Sequence, residues 1–403
     1  MATLYPFRAY RPVPEKVEQI ASVPYDVINS TEARALAEGK PLSFLHVVRP
    51  EIDLPEGTDE HAPEVYEKGA ENLRRFLEGE HFTREEEPSL YVYRLEMGKH
   101  VQDGLFGCVS VAEYDDDTIL KHEKTRQDKE DDRTRHILTQ QAHAEPVMMT
   151  YRGQSDINRL IEEAKAQAPL YDFVAEDGVR HTVWKVANPG ALVEAFENVE
   201  KLYIADGHHR CKASSRAAEE MRAKGAKDGE FEFFPAVLFA MDQMNILPYN
   251  RVVRRMALSP EDFLARLERD LEVERDVVRA IPDEPGTVCM YLKGRWHRVR
   301  LPESRTDSPV DRLDVSRLSE YVLAPVLGIE DVRRDPNIDF VGGIRGTTAL
   351  EKMVDEGAAM LAISMYPTSI RDLVDVSDAG LLMPPKSTWF EPKLRSGLLV
   401  HVF

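Results

Sequence analysis

Lys201-Leu-Tyr-Ile-Ala-Asp206-Gly-His-His-Arg210-Cys-Lys-Ala-Ser-Ser215 is the stretch that decides the fold. Residues 201–205 are a short apolar run of the length a buried strand needs. Gly207 permits a tight turn. The alanine-rich stretch from Cys211 to Lys224 then reads as a helix. A strand running through a glycine into a helix places the helix's unpaired N–H groups and positive dipole end at the strand terminus. Such an end is a ready site for phosphate. Gly207 lets a ligand approach the backbone, and Arg210 brings a fork of donors suited to phosphate. Asp206 can cap the helix, hold Mg²⁺ or orient a histidine. The plainer reading is that Asp206 only caps and that His208 and His209 are turn residues. Two histidines and an arginine directly after an apolar strand favour function. A metal held by these two histidines is disfavoured, because adjacent histidines seldom converge on one ion and no H-x-H or H-x-x-x-H spacing is present.

Upstream, His122-Glu-Lys-Thr125 follows the short strand Thr118-Ile-Leu-Lys121. Glu123 beside His122 is a candidate general base. Thr125 and Lys124 are within reach of a phosphate or substrate in that reading. The segment from His122 to His136, with Asp131-Asp-Arg133 inside it, is too hydrophilic for a core, and as a charge run it reads by default as a solvated loop. H-E-x-T is not the H-E-x-x-H of zinc proteases.

Working outward, residues 1–100 read as a first unit, 101–250 as a core with an insertion at about 154–198, and 251–403 as a last unit. Ser30 is the expected cap of a helix running to Ala37. Phe44-Leu-His-Val-Val48 reads as a buried strand, and Glu64 to Leu77 as a helix. The insertion reads as a helix, two short strands about Asp177-Gly178, and a second helix. Helices are expected near 259–271 and 313–326, with strands near 287–301. Tyr25 and Asp26 lie in a turn-rich segment. Asn250 and Arg251 follow the Pro248 turn, where Asn can orient a substrate or a metal-bound water and Arg can bind a carboxylate or phosphate. Phe340-Val-Gly-Gly-Ile-Arg-Gly346 is not a Walker loop, because no Gly-Lys-Ser/Thr follows; it reads as a turn with close backbone packing. Pro384-Pro-Lys-Ser-Thr388 and the histidines His46 and His143 read as packing elements.

The chain has 403 residues, three cysteines without C-x-x-C spacing, and a net charge of -19. The odd, unspaced cysteines argue against a disulfide framework or zinc ribbon. The acidic balance argues against a broad nucleic-acid face. No apolar run reaches membrane-spanning length, and the N-terminus lacks a basic and apolar leader pattern. The expectation is a cytoplasmic protein with no membrane or nucleic-acid partner. A homodimer stays open.

The order strand, His-Glu, helix, strand, strand, Asp-Gly-His-His-Arg, helix, strand resembles the ParB/sulfiredoxin-type fold. Within it, the chain most resembles the free L-serine kinases. Nearly the whole chain also resembles a bacterial and archaeal family labelled only as a domain of unknown function. That likeness rests on Pro24-Tyr-Asp-Val-Ile28, His122-Glu-Lys-Thr125, Ala205-Asp-Gly-His-His-Arg210, Tyr249-Asn-Arg-Val-Val253, Pro384-Pro-Lys-Ser-Thr-Trp389 and Pro392-Lys-Leu-Arg-Ser-Gly397. The resemblance implies an α+β fold, with a ParB/sulfiredoxin-like central domain flanked by N- and C-terminal α/β elements. It implies a phosphotransferase using ATP or ADP with Mg²⁺ on a small hydroxyl compound, free L-serine foremost. Glu123, His122, Asp206 and His208 are then the catalytic candidates. Thr125, Arg133, Gly207, His208, His209 and Arg210 are the nucleotide-binding candidates, and Tyr25, Asp26, Asn250 and Arg251 the substrate-binding ones. The metal ligands stay unassigned. The rival reading is a nucleotide-binding or hydrolysing switch with no small acceptor.

Overall fold

The computed structural model describes all 403 residues. The protein is mixed α/β with several sheets. It folds as two compact units: residues 1–121, 125–244 and 392–403 make the first, and residues 122–124 and 245–391 the second. No helix is long and apolar enough to cross a membrane.

The first unit is built on an eight-stranded sheet. Its spatial order is Ile119–Leu120, Leu202–Asp206, Val147–Tyr151, Phe233–Ala240, His100–Ser110, Tyr91–Met97, Arg180–Lys185 and Tyr171–Val174. Two contacts are parallel, Leu202–Asp206 with Ile119–Leu120 and Phe233–Ala240 with Val147–Tyr151; the other neighbours run antiparallel. The central strands are continuous apolar runs because helices and the N-terminal segment cover them. Leu105, Val109, Met149, Ile204 and Leu238 form one core face, and Ile157, Ile161, Leu192 and Phe196 from the helices Ser155–Lys165 and Pro189–Phe196 pack into the same cluster. The insertion is thus the helix, hairpin and helix read from the sequence. A second cluster gathers Phe44, Val47, Leu73, Phe76 and Val400.

The second unit centres on a six-stranded sheet in the order Glu272–Val277, Arg295–Arg300, Thr287–Leu292, Leu361–Met365, Tyr249–Val253 and Ile338–Gly342, antiparallel throughout. The glycine pair after Val341 packs as closely as its sequence implied. A Cβ on Gly342 would lie 2.7 Å from the Trp389 ring, and one on Gly343 would lie 2.5 Å from the Pro248 carbonyl.

Three local readings differ from the structure. Leu45–Val48 is a helical turn, not a strand, with Leu45, Val47 and Val48 buried; so short an apolar run has no period to separate the two. The cap of the helix Ser30–Ala37 is Asn29 rather than Ser30. Its side chain accepts from Glu32 N at 2.9 Å while the Glu32 carboxylate accepts from Asn29 N at 2.9 Å, a reciprocal capping box. The third concerns the hydrophilic segment before His136. Gln127–Gln140 is a helix, and Glu130, Asp132, Arg133, Thr134, His136 and Ile137 on it are buried.

Candidate phosphate-binding turn and its buried charge network

The strand Leu202–Asp206 ends in an irregularity. Ile204 faces Met149 and Asp206 faces Met148, so the register shifts between them. Such a bulge re-aims the last side chain of a strand. Gly207 follows at φ 103° in the left-handed region, and the helix His208–Ala223 begins directly after it. No side chain caps that helix, and its first internal bond runs from Cys211 N to the Gly207 carbonyl at 3.0 Å. An uncapped helix start of four turns, opening from a glycine, is the anion-receptive geometry read from the sequence.

Gly207 is required here twice over. Its φ is closed to side-chain-bearing residues at low cost, and a Cβ would come within 3.0 Å of the Arg210 Nε. Gly207→Ala is expected to destabilise the fold by about 1–2 kcal/mol, the cost of a non-glycine residue in the left-handed region. Urea unfolding of the two proteins checks it; equal midpoints would refute it.

Asp206 is not a cap. Its Oδ2 receives the Lys393 ammonium at 3.0 Å, and its Oδ1 lies 3.9 Å from Arg210 Nη2. Burial works against its charge, but Lys393 and then Arg210 outweigh burial and hold the carboxyl well below the usual carboxylate range. Lys393 was missed as a site residue. It lies 187 positions away in sequence, in the C-terminal segment that returns to the first unit.

Arg210 faces inward. It is buried; Nη1 donates to the Pro146 carbonyl, and Nη2 lies 3.5 Å from Asp26 Oδ2. Both Nη groups of the fork expected to grip phosphate therefore face protein acceptors, while Nε is buried without one. Burial disfavours its charge, while Asp26, Asp206 and Glu145 more than restore it, so it stays a cation behind the turn. Arg133 is placed likewise. It is buried, its guanidinium lies 3.9 Å from the Tyr25 ring centroid, and it pairs with Asp132 at 2.6 Å. Tyr25 is buried and its N–H donates to Glu145 Oε1 at 3.0 Å. Burial pushes the Tyr25 phenol well up. The structure thus brings Tyr25, Asp26, Arg133, Asp206 and Arg210 into one network, with Glu145 and Asp132 as members that sequence reasoning passed over. Glu145 contacts both Tyr25 and Ser396 Oγ, the latter at 3.0 Å. Burial raises its carboxyl despite the opposing Arg210 and Arg133. A cavity of about 40 Å³ lies among Arg133, His136, His143, Glu145 and Arg210. Its lining is polar enough, and its volume large enough, for a bridging water.

His209 reaches the start of the neighbouring helix. Its Nε2 accepts from Arg126 N at 3.1 Å, which puts the ring proton on Nδ1. Thr125, the last residue of the H-E-x-T motif, donates to Glu130 Oε1 at 2.5 Å. His208 is buried at the first turn of the helix.

The remaining candidates belong to the second unit. His122 is buried; its carbonyl accepts from Met383 N at 2.7 Å, and its Nε2 lies 3.4 Å from Thr388 Oγ1. Glu123 is the next residue in this unit and is half-buried. Asn250 Oδ1 accepts from Met365 N at 3.0 Å, and Arg251 Nη2 donates to the Lys386 carbonyl at 3.1 Å. Burial lowers the Arg251 guanidinium to about 10. Asn250 and Arg251 are both buried; Asn250 bonds within the sheet, and Arg251 ties it to the Pro384–Thr388 loop, which also holds His122. That loop packs, as its sequence implied.

A family profile described as "Protein of unknown function (DUF1015)" matches residues 4–316. The chain belongs to this family. No curated protein matches its sequence. Among solved structures, it is similar to a free serine kinase variant in complex with ADP, at 12% identity and a TM-score of 0.37 over 74% of this chain and 94% of that one. It is similar to a conserved hypothetical protein from Pyrococcus furiosus, at 12% identity and a TM-score of 0.34 over 74% and 97% of the two chains. It is also similar to SbnI with a C-terminal truncation from Staphylococcus aureus, at 13% identity and a TM-score of 0.39 over 74% and 87%. All three likenesses are distant.

Proposed function

We propose that this DUF1015 protein is a nucleotide-dependent phosphotransferase with a ParB/sulfiredoxin-like core, and that its acceptor is a small hydroxyl compound, free L-serine first. The observation that carries the reading is the uncapped helix start at Gly207, with the ionised Asp206 beside it and a cationic pair, Lys393 and Arg210, behind it. ATP or ADP would present its phosphates to the N–H groups of His208, His209 and Arg210. Arg210 would act there through its charge, since it is buried and its Nη groups face Pro146 and Asp26. His208 and His209 would add ring N–H donors, and the positive field would offset charge developing on the transferred group.

Glu123 is the proposed base. It would accept the serine hydroxyl proton as the oxygen attacks the terminal phosphorus and the nucleoside phosphate leaves. Mg²⁺ ordinarily binds through one or two carboxylates plus substrate phosphates. Asp206 fits that donor chemistry through one oxygen, because it stays ionised and only Oδ2 is held by Lys393. Bound there, Mg²⁺ would draw negative charge from the phosphates. Tyr25, Asp26, Asn250 and Arg251, the substrate-binding candidates, contact protein groups, and the proposal gives them no step in the transfer.

Phosphorus NMR tests the reading, with purified protein, Mg²⁺, ATP or ADP, and L-serine against a serine-free control. A new phosphomonoester resonance that requires serine is the expected result. Nucleotide hydrolysis indifferent to serine would overturn the kinase in favour of the switch, and no turnover of either nucleotide would overturn both L-serine as the acceptor and a hydrolysing switch.

A further inference from the structure

A second cavity of the first unit, about 700 Å³ in volume, belongs to none of the chemistry above. It lies between the segment around residues 18–45 and the turn joining the strands Tyr171–Val174 and Arg180–Lys185. Its volume is that of a small-molecule site. Val23, Leu42, Leu45 and Phe173 supply apolar wall. Three polar residues of the lining are deeply buried: Arg395 is 4% exposed, and Ser22 and Ser43 are each 6% exposed, Ser43 Oγ accepting from Leu45 N at 3.4 Å. The Ser22 hydroxyl has no hydrogen-bond partner, an unsatisfied donor that buried groups normally avoid.

The backbone holds Ser22 and Arg395 in place. Ser22 N donates to the Ser396 carbonyl at 3.1 Å and Ser396 N to the Ser22 carbonyl at 2.9 Å, so the residue next to Arg395 is bridged to Ser22. Arg395 N also donates to Tyr93 Oη at 3.3 Å.

Four of the charges of the lining are paired within the protein. Arg395 Nη2 donates to Asp177 Oδ2, and Lys40 Nζ lies 2.5 Å from Glu176 Oε1. The Arg395 pair is lopsided. Its cation is buried while the Asp177 side chain, on the hairpin turn, is 48% exposed. Asp177 loses little by leaving, since water solvates it already; Arg395 cannot be left alone without a compensating anion. Glu18 and Glu176 also line the cavity, so it disfavours a dianion.

We infer that this cavity is a binding site for an α-amino acid with an apolar side chain, which opens the Arg395–Asp177 pair and takes both halves. The ligand carboxylate replaces Asp177 on Arg395 and receives the Ser22 hydroxyl. The ligand ammonium takes the released Asp177. The side chain lies against Leu42, Leu45 and Phe173. A zwitterion is the ligand class that exchanges for an internal ion pair without changing the charge of the lining. Nothing in this assignment depends on the kinase reading.

The test is isothermal titration calorimetry of the intact protein with L-phenylalanine, 3-phenylpropionate and phenethylamine. L-phenylalanine binds, and each analogue lacking one charge binds at least about tenfold more weakly, the scale of one lost charge-assisted contact. Asp177→Asn separates the charges further: 3-phenylpropionate gains affinity, because its internal competitor is gone, while L-phenylalanine loses some. Ser22→Ala weakens both acids. Arg395→Gln abolishes binding of both, and the analogue series on the unaltered protein stands even if that variant fails to fold. Absence of L-phenylalanine binding up to about 10 mM, a concentration that detects millimolar affinity, overturns the assignment. So does equal binding of the three ligands, which would leave only an apolar cavity.

Discussion

Glu123→Gln lowers serine-dependent phosphoryl transfer by about 10²–10⁴-fold, the range that loss of a positioned general base produces. The substitution keeps the volume and the polar character of the side chain and removes only its capacity to accept the hydroxyl proton. Nucleotide affinity should therefore stay close to that of the unaltered protein, because the proposed phosphate contacts lie at the start of the helix His208–Ala223 and not at Glu123. The fall should appear in kcat and in kcat/KM alike, as expected for a group acting only in the transition state. Initial rates followed by phosphorus NMR, with nucleotide affinity measured by calorimetry, separate the possibilities. A variant that retains full turnover removes Glu123 from the chemistry. A variant that loses nucleotide binding as well makes Glu123 a binding group and not the base.

The turn itself was legible from sequence because its signals are local. An apolar run, a glycine and an alanine-rich segment in direct succession specify strand, left-handed residue and helix without reference to the rest of the chain, and the structure has all three at residues 202–223. Gly207 at φ 103° is the residue type that this geometry demands. What surrounds the turn was not legible. Lys393 pairs with Asp206 across 187 positions, and no local pattern marks a lysine as the partner of a distant aspartate.

The helix Gln127–Gln140 failed for a different reason. Its charges suggested solvent, yet Glu130, Arg133, Thr134 and Ile137 recur at helical spacing and are buried together. A polar stripe with that period was the available signal. Reading hydrophilic composition as exposure overlooked that charges can be buried in pairs, as Asp132–Arg133 is here, or beside a half-buried partner, as Glu130 is beside Arg216. Leu45–Val48 shows the converse: four residues carry too little period to choose between helix and strand.

That buried pairing carries the largest stability effect. Asp132→Asn is expected to cost about 3–5 kcal/mol at neutral pH, the penalty for leaving a buried charge uncompensated. Asp132 receives Arg133 Nε at 2.8 Å, the Tyr66 hydroxyl at 3.0 Å and His61 Nδ1 at 3.1 Å. Burial opposes its ionisation, but Arg133 and then His136 hold the carboxyl well below the usual carboxylate range. A carboxyl held lower in the folded chain than in the unfolded one contributes stability at every pH above the unfolded value, near about 4. That contribution is lost as pH falls from there toward the folded value. The difference between the two proteins should therefore be full at pH 7 and shrink below about pH 4. Urea unfolding across that range measures it, and a difference that ignores pH would refute the role of the Asp132 charge. Glu145 sharpens the argument. Its Oε2 lies 3.9 Å from Arg133 Nη1, and burial raises its carboxyl. In the Asp132→Asn protein, Glu145 is the carboxylate left to neutralise Arg133, and ionising it recovers part of the loss. Glu145→Gln alone costs less than Asp132→Asn, because Asp132, the nearer carboxylate, still holds Arg133. The double variant must then lose more than the two singles combined, the non-additivity expected of residues that share one buried cation. Strict additivity would mean that Arg133 answers to Asp132 alone.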